Sequence, residues 1–365
     1  MAPSFDNGKS LFDFVVRDGN GVKGIVDLGL SKVPQAYIQP PEEQIDKENA
    51  SKHGQPPIDL SRLDGPDHDE VVKEIVRASE TLGFFQVVNH GVPVDLLESL
   101  KDAAHTFFGQ PPERKSLYRK EVSPTPLVRY GTSFVPEKEK ALEWKDYISM
   151  VYTNDAEALE HWPVECREVA LEYLKTSLEM VKKLLHVLTE NLGVKLDDSK
   201  IDALIGRKTV NMNFYPTCPN PDLTVGVGRH SDFGTLTVLL QDGIGGLYVN
   251  IPEDTDIGKR GDWVEIPPIH GALVINIGDM LQILSNGRYK SAEHRVRTTS
   301  TKSRVSIPIF TIPKPTEKIA PLPQVVEKDG VARYREFVLE DYMNYYFGNP
   351  HEGKKSLDFA RINSA

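Results

Sequence analysis

After residue 205 the sequence breaks into short β-branched and aromatic runs, and this pattern narrows the possible folds more than any other feature of the chain. The runs lie near 208–215, 235–241, 246–250, 262–266, 272–277, 293–298 and 304–311, separated by turn-forming clusters such as QDGIGG, NIGD and SNGRY. Short strands that return this often fold as a β-sandwich or barrel, because each needs a neighbour for its backbone and a facing layer for its apolar side. A jelly roll is the variant that leaves an open internal cavity. The expected class is mainly β with flanking helices, a jelly-roll core carrying an N-terminal helical layer.

The helical signals lie mostly before that region. Asp69 to Leu82 is helical in pattern, GFFQVVNHGV is a β-rich run, and PVDLLESLKDAAHTFFGQ keeps Leu96, Leu97, Leu100 and Phe107 on one helical face. The clearest helix runs from near Pro163 to Gly193, with Leu171, Leu174, Leu178, Val181, Leu185, Leu188 and Leu192 at alternating steps of three and four. That stripe reads as core packing that backs a sheet, and Gly193 suits a C-terminal cap. The proline-broken first sixty residues read as an irregular arm leading to a strand at Ile58 to Leu60, and YREFVLEDYMNYYFGN returns to helix. The expected division is an arm over 1–56, a region with the long helix over 57–200, a catalytic jelly roll over 201–320 and a C-terminal helix and tail over 321–365.

In VGVGRHSDFGTLTVLL, His230 and Asp232 stand two apart at the start of an apolar run. If both lie on a strand they share a face, and one imidazole beside one carboxylate makes a two-armed chelate. The pair alone is weak, since His68-x-Glu70 repeats it in the charged segment DGPDHDEVVKE, which reads as a solvated loop or helix start. His294, 62 residues after Asp232 at the start of a later strand, supplies a third ligand. Two histidines and a carboxylate leave positions open on non-haem Fe(II), whereas structural zinc sites are typically closed by four protein ligands.

Arg304 and Ser306 share a face in SRVSIPIF. The guanidinium can meet a carboxylate bidentately, and the hydroxyl can donate to the same oxygens. An arginine beside a vacant iron site points to a small dicarboxylate such as 2-oxoglutarate. His53, His90, His105, His161, His186, His270 and His351 keep structural readings. A zinc hydrolase on the same triad and a non-catalytic jelly-roll binding protein are the readings from other classes, but the first gives Arg304 and Ser306 no task and the second needs no triad.

The net charge of −10 and the lack of a basic patch exclude a nucleic acid or an anionic membrane as the main partner. Two cysteines cannot make a disulfide framework, and there is no leader pattern or run of about 18 apolar residues. The expectation is a cytoplasmic protein, a monomer, acting on a small molecule.

These motifs together resemble the plant 2-oxoglutarate and Fe(II)-dependent dioxygenases, whose core is a double-stranded β-helix, another name for the jelly roll. The family's markers are H-x-D, a distal H, R-x-S and N-Y-Y-P-x-C-P, the last standing here as NFYPTCP at 213–219 with Phe214 in place of the first tyrosine. GFFQVVNHGV also matches, so the resemblance spans about Pro57 to Gly348. It implies that His230, Asp232 and His294 bind Fe(II), that Tyr215, Arg304 and Ser306 hold the C5 carboxylate of 2-oxoglutarate, and that Asn213 steadies its other end. It further implies consumption of O2, release of succinate and CO2, and support by ascorbate.

LFDFVVRDGNGVKG and YGTSFVPEKEKALEWKDYISM are similar to the coumarin-forming branch of that family. The implied substrate is a phenolic coumarin, with ortho-hydroxylation of a feruloyl-CoA thioester as the alternative. A flat phenolic lactone needs an apolar, aromatic-walled pocket with a few polar groups. Phe233 and Phe310 are the expected walls, Asn211 a hydrogen-bonding partner, and Phe134, Tyr130 and Trp144 a lid. Lys138, Lys140 and Lys145 are interleaved with Glu137, Glu139, Glu143 and Asp146, so no net phosphate site for CoA is evident.

Overall fold

Strands form at each of the seven β-rich runs and join others into two sheets. The computed structural model describes residues 8–44, 51–52, 54–254, 256–350 and 353–362. In chain order the strands are β1 Ser51–Lys52, β2 Ile58–Asp59, β3 Phe84–Val88, β4 Val128–Thr132, β5 Asp146–Tyr152, β6 Arg207–Tyr215 and β7 Val227–His230. They continue as β8 Leu236–Gln241, β9 Leu247–Asn250, β10 Trp263–Glu265, β11 Leu273–Ile277, β12 His294–Val296 and β13 Arg304–Ile312. The large sheet has the order β2-β3-β11-β8-β13-β6-β5-β4, and the small sheet β1-β10-β9-β12-β7. Facing each other, they make the jelly roll that the turn spacing predicts.

The helices are α1 Gly8–Phe12, α2 Gly21–Asp27, α3 His68–Thr81, α4 Val94–Gly109, α5 Pro112–Lys115, α6 Asp155–His161 and α7 Arg167–Asn191. After them come α8 Asp198–Leu204, α9 Asp279–Leu284, α10 Pro323–Asp329 and α11 Leu339–Phe347. The leucine stripe of α7 is buried at Leu171, Leu174, Val181, Leu185 and Leu188, while Leu178 is only partly covered. Each such side chain contributes about 1.5–3 kcal/mol through burial. Gly193 ends this helix at φ +83, a conformation that disfavours any other residue.

Strand alternation gives the large sheet two unlike faces. Phe85, Val87, Ile148, Met150, Val210, Met212, Val238, Leu240, Ile275, Val305, Ile307 and Ile309 point outward into one core with α3, α4 and α7. The residues between them point inward: Asn211, Asn213 and Tyr215 on β6, Arg304, Ser306 and Phe310 on β13, Thr237 and Gln241 on β8, and Asn276 on β11. The inner face is thus largely polar. Further along, Phe84 and Val274 meet Leu247, Val249, Val264 and Ile266 of the small sheet in an apolar floor.

Two expectations need correcting. The segment read as a loop-rich lid holds β4 and β5, and β5 pairs with β6 from Asp146↔Phe214 to Tyr152↔Lys208. The period-2 alternation of DYISMVY was there, but the charged run EKEKALEWKD before it masked the strand. The arm is also not simply irregular, because α1, a π-helical turn at Asp13–Arg17 and α2 dock through Leu11, Val15, Val22 and Ile25 onto Tyr37, Trp144 and Cys218. Helices this short are not stable alone, and tertiary contacts hold them. The Asp146 carboxylate accepts from the backbone N–H of Val22 at 2.7 Å and of Lys23 at 2.9 Å, capping α2 from another strand. Gly21, at φ +67, precedes this cap, and a Cβ there would lie 2.4 Å from Asp146 Oδ1.

Candidate functional site

Three side chains converge at the mouth of the small sheet. Strands β7 and β12 pair antiparallel with His230 directly opposite His294, and the two ring centroids are 4.1 Å apart. Asp232 was expected on the same strand as His230, yet β7 ends at His230 and Asp232 sits in the turn that follows. The turn still brings the carboxylate to the imidazoles: Oδ1 is 3.6 Å from His230 Nε2 and 3.7 Å from His294 Nε2. One ligand atom from each of the three lies within 4.8 Å of the others, a grouping able to hold a metal ion.

The surroundings fix the donors. His230 Nδ1 is 2.9 Å from the Gly228 carbonyl and His294 Nδ1 is 3.2 Å from that of Ala292. A carbonyl only accepts, so each Nδ1 carries a proton and each Nε2 is the ring nitrogen turned toward the site. Asp232 Oδ2 accepts from Thr237 Oγ1 and from Asn276 Nδ2, both at 2.6 Å, which leaves Oδ1 for the imidazoles. Burial disfavours the Asp232 carboxylate, but His294, His230 and Thr237 outweigh it and hold its pKa well below the usual range. Burial, with His230 alongside, pushes His294 down to about 4. At neutral pH the set is therefore a carboxylate with a neutral His294, the protonation that a cation requires of its ligands.

The neighbouring wall contains an unsatisfied cation. Arg304 is only 1% exposed; its Nε donates to the Ile244 carbonyl at 3.1 Å and its Nη2 to Gln241 Oε1 at 3.0 Å. Its Nη1 is buried without an acceptor. The guanidinium lies 5.1 Å from the centroid of the Tyr215 ring, and the Tyr215 hydroxyl is 3.4 Å from Ser306 Oγ. Leaving a charged donor buried and unpaired is costly, and an incoming carboxylate would satisfy Nη1 and both hydroxyls together. Asn213 stands opposite Ser306 in the strand register. These residues fit a metal chelate flanked by a carboxylate clamp, the arrangement a 2-oxo dicarboxylic acid requires.

The expected substrate residues separate into two groups. Asn211 points inward with its Oδ1 buried and unpartnered. Phe310 shares a row with Thr237, whose hydroxyl holds Asp232. Phe233 packs 4.9 Å from Tyr346 and 5.1 Å from Phe347, and Phe134 lies 5.9 Å and 6.0 Å from the same two rings. Tyr346 and Phe347 of α11 were missed in the sequence, although the aromatic run NYYF was a signal. Tyr130 is a correction: it turns to the outer face, near Phe107 and under the Lys115 ammonium, because it falls in the row of Ile148. Trp144 is another, since its Nε1 donates to the Pro216 carbonyl at 3.1 Å and its ring packs on Tyr37 beneath the N-terminal helices. His90 is structural, bonded to the Gly271 carbonyl and to the Val92 N–H, while His53 and His351 lie outside the described residues.

Beside Phe134, Glu139 clasps its own loop by accepting from the Phe134 N–H at 2.9 Å, the Val135 N–H at 2.8 Å and the Ser133 hydroxyl. Burial, with Glu143 nearby, pushes its carboxyl up to about 7.

Residues 207–313 match the 2OG-Fe(II) oxygenase superfamily, and residues 56–167 match the family described as non-haem dioxygenase in morphine synthesis N-terminal. Scopoletin 8-hydroxylase from Arabidopsis thaliana is 66% identical over 99% of both chains. Feruloyl CoA ortho-hydroxylase 1 from the same plant is 48% identical over 99% of this chain and 100% of its own. Among solved structures, JOX2 in complex with 2OG, Fe and JA is 32% identical, with a TM-score of 0.81, covering 93% of this chain and 97% of that one.

Two tests follow from the geometry. Asn276→Ala removes one of the two donors that aim Asp232 and should weaken binding of a divalent metal about 10–100-fold with the fold intact. Anaerobic titration with Fe(II) checks this, and an unchanged affinity would mean that Asp232 is oriented by other contacts. Burial and Glu143 favour the protonated form of Glu139 against the hydrogen bonds of its loop, so its contribution to stability is full at acid pH and is lost as pH rises through about 7. Glu139→Gln should flatten the fall in melting temperature between about pH 5 and 8; a variant curve parallel to that of the parent would count against the raised carboxyl.

Proposed function

We propose that this chain, which belongs to the 2OG-Fe(II) oxygenase superfamily, hydroxylates scopoletin at C8 to give fraxetin, using O2 and 2-oxoglutarate and releasing succinate and CO2. Membership brings Fe(II) and 2-oxoglutarate as its working groups and makes the chain a dioxygenase. The observation that carries the substrate is identity along the whole chain: 66% to scopoletin 8-hydroxylase against 48% to feruloyl CoA ortho-hydroxylase 1.

In this reading His230, Asp232 and His294 would hold the iron, each through one ligand atom. Arg304 Nη1, Ser306 and Tyr215 take the far carboxylate of 2-oxoglutarate, and Asn213 steadies the near end. When bound, the iron and its co-substrate supply the oxidising power that hydroxylates an aromatic carbon. The chain's own work is orientation and exclusion of water. Phe233, Phe310 and Phe134, together with Tyr346 and Phe347, wall a flat ring, and Asn211 Oδ1 accepts a hydrogen bond from a ring substituent. Ascorbate would support turnover as a reductant. The enzyme works as a cytoplasmic monomer, a reading supported by its acidity and its two buried free thiols; among the described residues no helix is long and apolar enough to cross a membrane.

A CoA thioester is less well served. Lys145 is buried away from the surface where CoA phosphates would lie, and Lys138 Nζ donates to the Gly348 carbonyl at 2.5 Å, so two of the three expected lysines are withdrawn from a phosphate site. A zinc hydrolase leaves Arg304 Nη1 without a purpose.

The test is competition. With Fe(II), 2-oxoglutarate, air and equimolar scopoletin and feruloyl-CoA, mass spectrometry should show one oxygen gained by scopoletin for each succinate formed. Product from feruloyl-CoA alone would move the enzyme to the earlier step, and succinate uncoupled from both would refute the substrate assignment.

A further inference from the structure

Lys145 immediately precedes β5. The next residue, Asp146, faces outward to cap α2, so strand alternation turns Lys145 and Tyr147 inward. The Lys145 ammonium lies 5.9 Å from the Tyr147 ring centroid, and Tyr147 pairs with Asn213, which in turn pairs with Ser306. The lysine therefore stands on the wall that carries the carboxylate clamp.

Its side chain is 8% exposed and that of Glu143 4%, with Nζ 3.1 Å from Oε2. Glu143 is the one carboxylate in ion-pair range of this ammonium among the described residues. Glu143 is itself fixed: its Oε1 accepts from the Gly228 N–H at 2.7 Å, and the Gly228 carbonyl orients His230. Burial lowers the basicity of Lys145, but Glu143 and Tyr215 more than offset it, so the group is a cation. A desolvated ion pair seldom repays its cost in stability alone. With one carboxylate partner, the ammonium keeps donors for a ligand.

We infer that Lys145 is the substrate-anchoring cation, binding the phenolate oxygen of a hydroxycoumarin next to the carbon that is hydroxylated. The inference rests on the coumarin reading above and deepens it. Conjugation with the lactone carbonyl acidifies the phenol of a 7-hydroxycoumarin, so phenolate is present near neutral pH. C8 of scopoletin is ortho to that oxygen, and anchoring the oxygen fixes where C8 lies. In feruloyl-CoA the carbon ortho to the side chain is meta to the phenol, so the same anchor would present a different carbon.

The titratable groups around Lys145 are Glu143 and Glu139 from its own loop, Tyr147 from β5 and Tyr215 from β6. Glu139 titrates near neutrality, so a pH profile needs a control ligand. The O-methyl ether of scopoletin provides it, because Glu139 acts on both ligands and phenol ionisation on only one.

The experiment measures anaerobic binding of scopoletin and of its ether to the protein loaded with Fe(II) and 2-oxoglutarate, across the ionisation of the phenol. The parent should bind scopoletin more tightly as pH rises and show no comparable gain for the ether. Glu143→Gln/Lys145→Met, which removes both charges and leaves an acceptor for the Gly228 N–H, should lose the preference by about tenfold to a hundredfold. Its affinity for 2-oxoglutarate should stay unchanged, and Lys145→Arg should keep the preference. A double variant that holds 2-oxoglutarate and still prefers scopoletin overturns the proposal. If that variant loses 2-oxoglutarate as well, the parent decides alone: equal pH profiles for the two ligands overturn it, and a scopoletin-specific gain supports it. Parent turnover separates the two readings. Hydroxylated scopoletin without phenolate preference removes only the Lys145 role, whereas no coumarin product at all removes both.

Discussion

Asp232 is a buried carboxylate shared between two sheets, and the site depends on that sharing. One oxygen is held by Thr237 of β8 and Asn276 of β11, neighbours in the large sheet, and the other faces His230 and His294 of the small sheet. Burial alone would favour its neutral form. The imidazoles and Thr237 reverse that preference, so the fold itself maintains a negative charge where a cation belongs. A buried carboxylate with no cation beside it would be a liability, and here it reads as one half of a complex.

The same logic extends along the large sheet. Its outer face is apolar and covered by α3, α4 and α7, so its register is strongly set, and a one-residue slip would put Asn213 and Arg304 into the helices and Val305 into the cavity. Register therefore sets these pairs: Arg304 opposite Tyr215 and Ser306 opposite Asn213 follow from apolar packing on the other side. Aromatics from three separate segments, Phe134, Phe233 and the pair Tyr346 and Phe347, pack together beside Asp232. The Tyr346 hydroxyl also donates to the Ser231 carbonyl at 2.9 Å, which ties α11 to the turn that carries Asp232.

Much of this was legible in the chain because period-2 alternation and residue chemistry are local. Arg304 and Ser306 could be put on one face from strand phase, His230, Asp232 and His294 grouped by their functional groups although Asp232 lies just past the strand, and the Leu171 to Leu188 stripe of α7 read from helical phase. What escaped was non-local. Thr237 and Asn276 are ordinary polar residues until strand pairing places them in one row. Tyr130 and Trp144 are aromatics in a polar stretch, and only the pairing of β4 with β5 and the docking of the N-terminal helices show that they face away from the cavity. The capping of α2 by Asp146 joins residues more than a hundred positions apart in sequence, and no local signal announces it.

A metal chelate beside a carboxylate clamp would bind one 2-oxo dicarboxylic acid through both of its ends. Anaerobic titration of the protein with Fe(II) in the presence of 2-oxoglutarate, followed by the visible charge-transfer absorption of a 2-oxo acid chelated to Fe(II), reads both ends at once. Saturation at one iron per chain is expected, with the absorption requiring both components. Iron that binds without developing this absorption when 2-oxoglutarate is added, or absorption that saturates at a different stoichiometry, would contradict it.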